Sequence, residues 1–194
     1  DIESHKLELP LATSAIESRR CVHAFTARGR RHKGGRIDPG AYDGIAGNHQ
    51  NARSSHNEDR FAIRLFGGAG NWTSSRTFLE IGAFDGVSES NTIVMERCLG
   101  WRGVLVEPNP RAFDALKASG RTHSTLVHAS PMCRDESTVL MSPLPFTSAR
   151  TDPEPGAPHG AVPVPCVSLT DILLKAETPR IDFFSLDVEN SEDR

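Results

Sequence analysis

The sequence has no apolar run near the roughly 18 residues of a membrane span, no C-x-x-C cysteine pair and no G-x-G-x-x-G fingerprint. The first absence leaves no transmembrane helix in the residues given, and no signal-peptide pattern is visible. The second argues against a structural zinc site or a dithiol redox motif. Cys21, Cys98, Cys133 and Cys166 are far apart and read as small buried apolar residues, with a disulfide as the alternative if the protein is secreted. The eight histidines show no ligand spacing, so no metal is expected. The missing glycine fingerprint disfavours a nicotinamide-dinucleotide enzyme.

Acid is missing from one stretch. Between Arg19 and Arg36 there are seven Lys or Arg residues and no Asp or Glu, whereas residues 51–194 carry 14 basic and 19 acidic residues. A basic run without interleaved aromatics offers little for stacking on bases, so no nucleic-acid partner is expected. Residues 1–50 read instead as a polar, solvated leader. The chain opens on Asp1 rather than Met, so its start is expected to be missing or processed, which leaves room for a lost membrane anchor. The sequon Asn71-Trp72-Thr73 would permit glycosylation in a secretory compartment. The compartment stays open between cytoplasm and secretory pathway.

What is present fits a folded domain. A chain of 194 residues with 37% apolar content is large enough to bury a core. Residues 51–194 are read as that domain, with NEDRFAIRLF (57–66) as a helix beside a sheet through Phe61, Ile63, Leu65 and Phe66. The stretch from Ser142 to Pro165 holds seven of the thirteen prolines and reads as an exposed loop.

The core alternates strands and helices. Strands are expected at 77–82, 103–107, 124–129 and 181–187. Asn91 is expected to cap the helix TIVMERCL, which Gly100 ends. Asn109 caps a second helix with Pro110 at its first position and Gly120 as its stop. Ser168 and Asp171 form a capping box opening TDILLKAE. That alternation predicts an α/β fold with a doubly wound, mostly parallel sheet.

The segment FLEIGAFDG (78–86), followed by GVLVEPNP (103–110), has the skeleton of a nucleotide-cofactor site. Gly82 and Gly86 let the chain turn sharply from strand to helix. Glu107, at the end of the next strand, is placed to accept hydrogen bonds from a ribose diol. Glu80 and Asp85 make the turn acidic, which disfavours a pyrophosphate and favours a positively charged ligand such as a sulfonium. The pattern therefore points to S-adenosylmethionine.

FLEIGAFDGVSESNT, ERCLGWRGVLVEPNP, VPCVSLTDIL and IDFFSLDVENSE, in this order and spacing, resemble the FkbM-type methyltransferase family from about Asn57 to Glu192. The resemblance implies a Rossmann-like class I methyltransferase that uses S-adenosylmethionine, usually to methylate a hydroxyl on a sugar or other small acceptor. One departure is Asn190, where the family normally has glycine.

Combined with the strand-end rule for α/β sheets, the resemblance assigns Glu80, Gly82, Asp85 and Gly86 to the methionine part of the cofactor, Glu107 and Asn109 to its ribose side, and Ser130 and Met132 to the adenine. Asp187 would orient cofactor or acceptor, and Glu189 would serve as the base. A class I sheet normally has seven strands, whereas this sequence stops at Arg194 just after the fourth. A C-terminally truncated domain is therefore expected. The alternative function is a non-catalytic interaction or trafficking module resembling the Star protein of the secretory pathway.

Overall fold

The computed structural model describes residues 62, 65, 66, 76–131, 133, 137–142, 150–151 and 160–188. The chain divides into two compact units, one made of Asp1–Ser75 with Val87–Trp101, the other of Arg76–Gly86 with Arg102–Arg194. The boundary of the basic leader, most of the helix predicted over 57–66, and residues Met132, Glu189 and Asn190 lie outside the described residues.

The second unit carries the sheet. Strands β1 (Thr77–Ile81), β2 (Arg102–Val106), β3 (Ser124–Val127), β4 (Thr138–Met141), β5 (Arg150–Thr151), β6 (Val162–Pro165) and β7 (Phe183–Leu186) follow one another along the chain. Helix α1 (Ile93–Leu99) lies between β1 and β2 in sequence, α2 (Pro110–Ala118) between β2 and β3, and α3 (Leu169–Lys175) between β6 and β7. Four strands form a parallel sheet in the order β3-β2-β1-β7. This is the predicted Rossmann-like α/β architecture. The chain moves outward from β1 through β2 to β3, then returns to the other side of β1 with β7, so the order reverses between β1 and β7.

Leu79, Ile81, Val104 and Val106 project from one face of the sheet and bury themselves with Ile172 of α3. Alternate residues of β1 are buried as well, including Phe78 and Glu80. This two-sided burial is why TFLEI and RGVLV read as nearly continuous apolar runs. On β7, Phe184 and Leu186 remain 49% and 36% exposed.

Helix ends obey local chemistry. Asn109 caps α2 by accepting from the Arg111 and Ala112 N–H groups, with Pro110 at the first position. Gly100 closes α1 in the left-handed conformation at φ 67°, and the Ser168 hydroxyl accepts from Asp171 N–H. The expected cap Asn91 is corrected. The N-cap position is Thr92, and Ser90 Oγ accepts from the N–H groups of Thr92 and of Ile93, the first residue of α1, at 3.3 and 3.2 Å. In the first unit, Ala62, Leu65 and Phe66 have helical backbone. Phe66 meets Trp101 edge to face, whereas Leu65, expected to face inward, is 65% exposed.

The Pro-rich stretch is also corrected. It contributes β5 and β6 to a three-stranded antiparallel sheet in the order β5-β4-β6. Pro163 and Pro165 occupy alternate positions of an edge strand, so the N–H groups they lack would all point away from β4. Val164 between them is fully buried with Val139 and Met141.

The cysteines differ from the small buried apolar residues expected of them. Cys133 and Cys166 form a disulfide, and Cys98 is also disulfide-bonded. Widely spaced cysteines carry no pairing signal in sequence. Here the partner is brought close by the Ser130–Cys166 bridge between the end of β3 and the end of β6.

Candidate functional site

The carboxyl ends of β1, β2, β3 and β7 meet at the point where strand order reverses, the usual place for a ligand in an open α/β sheet. The chain leaves β1 through a tight turn over residues 82–86. Gly82 and Ala83 both donate to the Val106 carbonyl, at 2.9 and 3.1 Å, and Gly86 N–H closes the turn on the Ala83 carbonyl at 2.8 Å. Gly82, Phe84 and Gly86 all have positive φ, at 84°, 49° and 76°.

The glycines are required by protein contacts as well as by backbone angle. A Cβ on Gly82 would lie 1.8 Å from the Asp187 carbonyl oxygen, because the end of β7 passes directly against the turn. A Cβ on Gly86 would lie 2.4 Å from the Leu116 side chain. Asp187 itself is joined to β1 by its N–H, which donates to the Ile81 carbonyl at 3.0 Å.

Glu107 is the centre of this arrangement. Its Oε2 accepts from Phe84 N–H and its Oε1 from Asn109 N–H, each at 2.7 Å. The residue is 6% exposed. Burial pushes its carboxyl above the usual range, opposed by the Asn109 and Phe84 hydrogen bonds. Each carboxylate oxygen still has acceptor capacity beyond the one bond described, so the group can latch the turn and accept hydroxyl donors together. The carboxylate is marked in the sequence, but its hold on Phe84 is not, since a backbone N–H leaves no mark there.

The other assigned residues fall in different settings. Glu80 lies inside β1 rather than on the turn, 2% exposed and in register with Leu105 and Ser185. Asp85 is half-buried on the turn, and Asp187 is exposed at the end of β7. Asn109 is engaged three ways. Its N–H donates to Glu107, its side-chain oxygen caps α2, and its Nδ2 donates to the Ser142 carbonyl at 3.1 Å. Ser130 is buried past the end of β3, with its N–H on the Pro165 carbonyl and its carbonyl receiving Val167 N–H. The small sheet thus abuts the rim where the adenine was expected.

Two side chains without a sequence signal also shape the rim. The His128 ring stacks on Phe113 with centroids 4.7 Å apart, and its Nε2 lies 3.1 Å from the Pro108 carbonyl, which fixes the residue next to Glu107. Arg121 is 3% exposed and donates through Nη1 to the Gly86 carbonyl at 2.7 Å.

A turn without Cβ atoms at its two glycines, a buried carboxylate at the end of the neighbouring strand, and Asp85 and Asp187 beside them suit a ligand with a diol and a positive charge. They do not suit a pyrophosphate, which needs cationic or N–H-lined surroundings. A family model described as "Methyltransferase FkbM domain" matches residues 80–192, more than half of the chain. No curated protein and no solved structure matches it.

Proposed function

The chain belongs to the FkbM methyltransferase family, and from that premise we propose that it binds S-adenosylmethionine at the turn over residues 82–86 and methylates a hydroxyl on a sugar or other small acceptor. The observation that carries the reading is Glu107. It is a buried carboxylate at the end of β2, oriented by two backbone N–H groups 2.7 Å away, and its remaining acceptor capacity would receive a ribose diol.

Bound there, S-adenosylmethionine supplies an electrophilic methyl group on a sulfonium. Gly82, Asp85 and Gly86, with Glu80 buried behind them, would flank its methionine part. Asn109 would keep the segment beside the ribose in place, and Ser130 with Met132 would lie towards the adenine. Asp187, exposed where β7 passes Gly82, would hold the acceptor hydroxyl in line, which is where much of the rate of a bimolecular transfer arises. Glu189, two residues on, would take the hydroxyl proton.

The experiment is transfer of an isotopically labelled methyl group from S-adenosylmethionine to a panel of glycans and small hydroxylated compounds, with the Glu107→Ala chain as control. Label appearing as an acid-stable methyl ether in the wild-type reaction alone supports the reading. A folded chain that binds cofactor but labels nothing contradicts it. The second reading is a non-catalytic interaction or trafficking module of the secretory pathway. It is favoured by the Cys133–Cys166 disulfide, since such bonds persist in oxidising compartments, and by Asn190 at the family's glycine position.

A further inference from the structure

Arg121 is a buried cation without a part in the proposed chemistry. It follows Gly120 directly, 3% exposed, and nothing in the cofactor motifs points to it. Its Nη1 donates to the Gly86 carbonyl across 2.7 Å. Its guanidinium also lies 5.6 Å from the centre of the Phe78 ring.

The surrounding residues are shaped to keep it there. The Phe78 ring extends over β2 at Gly103, where a Cβ would fall 2.1 Å from the ring. Glycine inside a strand is otherwise unfavourable, and here it makes room for the ring that carries the guanidinium. Gly86, whose carbonyl receives the hydrogen bond, is itself held in the left-handed region at φ 76° with Leu116 filling the place of its Cβ.

We propose that Arg121 is a positioning residue for the cofactor turn, fixing the carbonyl at its downstream end as Glu107 fixes the N–H at its middle. The turn is then gripped from two buried side chains, a carboxyl group accepting from the Phe84 N–H and a guanidinium donating to the Gly86 carbonyl. Both grips act on backbone atoms, so they set the path of residues 82–86 whatever side chains the turn carries. Arginine suits the task better than lysine because its planar fork donates in a fixed direction while its charge lies over an aromatic ring. Burying a guanidinium is costly, and an apolar residue would fill the space without ordering the turn. The proposal rests on the reading of this turn as the S-adenosylmethionine site.

The test is calorimetric titration of S-adenosylmethionine into the full chain and its Arg121→Met, Arg121→Lys and Phe78→Leu variants, each well below its own melting temperature. Arg121→Met is expected to bind about tenfold more weakly, the loss of one hydrogen bond from a charged donor. Arg121→Lys should recover part of that affinity, and Phe78→Leu should bind several-fold more weakly with Arg121 still present. A merely structural Arg121 would lower the melting temperature and leave the dissociation constant of the folded chain unchanged. A folded Arg121→Met chain with wild-type affinity overturns the proposal. If that variant does not fold, wild-type affinity in both Arg121→Lys and Phe78→Leu overturns it. A wild-type chain that is folded and binds nothing overturns the cofactor reading itself, a result distinct from wild-type binding that the variants leave unmoved.

Discussion

The backbone N–H of Phe84 donates to Glu107 Oε2 across 2.7 Å, tying the left-handed residue of the turn after β1 to the carboxylate that ends β2. The second oxygen of the same carboxylate accepts from Asn109 N–H, so one side chain sets the spacing of the two loops that would hold a cofactor. Replacing it by glutamine puts an NH₂ group against one of two N–H donors. Glu107→Gln is therefore expected to lose about 1–3 kcal/mol of stability, the cost of a buried donor left unsatisfied, measured by urea unfolding.

The titration of Glu107 has a definite sign. Burial raises its folded pKa above the usual range against the opposing N–H bonds, so the folded state holds the proton more tightly than the unfolded chain. Its contribution to stability is complete below the unfolded value of about 4.3 and is lost as pH rises through the higher folded value. The stability gap between wild type and Glu107→Gln should shrink from pH 4 upward in urea melts. A gap that widens over that range contradicts the assignment.

Asp182 behaves in the opposite sense. Burial pushes its carboxyl up, but the Thr77 N–H, the Arg180 hydrogen bond and the charges of Arg180 and Arg76 together outweigh this and hold it below its usual range. Its Oδ2 accepts from Thr77 N–H at 3.0 Å, while its own N–H donates to the Thr77 carbonyl at 2.8 Å, joining the approach to β7 to the start of β1. Its stabilisation is present above the unfolded value of about 3.9 and lost as pH falls through the lower folded value. Asp182→Asn should flatten the acid limb of the stability profile, read by thermal melts below pH 5.

Gly82 and Gly120 separate two kinds of glycine requirement. Both have positive φ, at 84° and 74°, but a Cβ on Gly82 would strike the Asp187 carbonyl at 1.8 Å while one on Gly120 would meet nothing within 4 Å. Gly120→Ala should cost about 1–2 kcal/mol, the backbone penalty alone. Gly82→Ala should cost at least about 3 kcal/mol, with displacement of the end of β7 added. Equal losses in denaturant unfolding would contradict the close approach.

The parts of the fold that were legible in sequence are those fixed by neighbours along the chain. Asn109 before Pro110, Ser168 before Asp171 and Gly100 after Leu99 mark helix ends because their hydrogen bonds span only a few residues, and the apolar runs of β1 and β2 reflect burial on both faces. Pairings between distant segments were not legible. Cys133 meets Cys166 only because β6 runs back to Ser130, and the prolines of β6 are tolerated only because that strand is an edge. At the candidate site Glu107 stood out through its place after VLV. Arg121 did not, because its partner is a backbone carbonyl 35 residues earlier in the chain.

The disulfide gives one more expectation. Cys133 and Cys166 are separated by 33 residues in sequence, and closing a loop of that size restricts the unfolded chain. The Cys133→Ser, Cys166→Ser double variant should be less stable by about 2–4 kcal/mol, measured by urea unfolding without reductant. Because Ser130 is paired across Pro165–Val167, hydrogen exchange at the Ser130 and Val167 amides should rise in that variant.

The proposed cofactor site is Glu107 with the turn it holds. Calorimetric titration of S-adenosylmethionine into the full chain and into Glu107→Ala, each shown by circular dichroism to melt cooperatively, tests it most directly. Saturable binding at one site is expected in the wild type and none in the folded variant. A cooperatively folded wild-type chain that releases no binding heat, or a folded Glu107→Ala chain that binds as tightly as wild type, would contradict it.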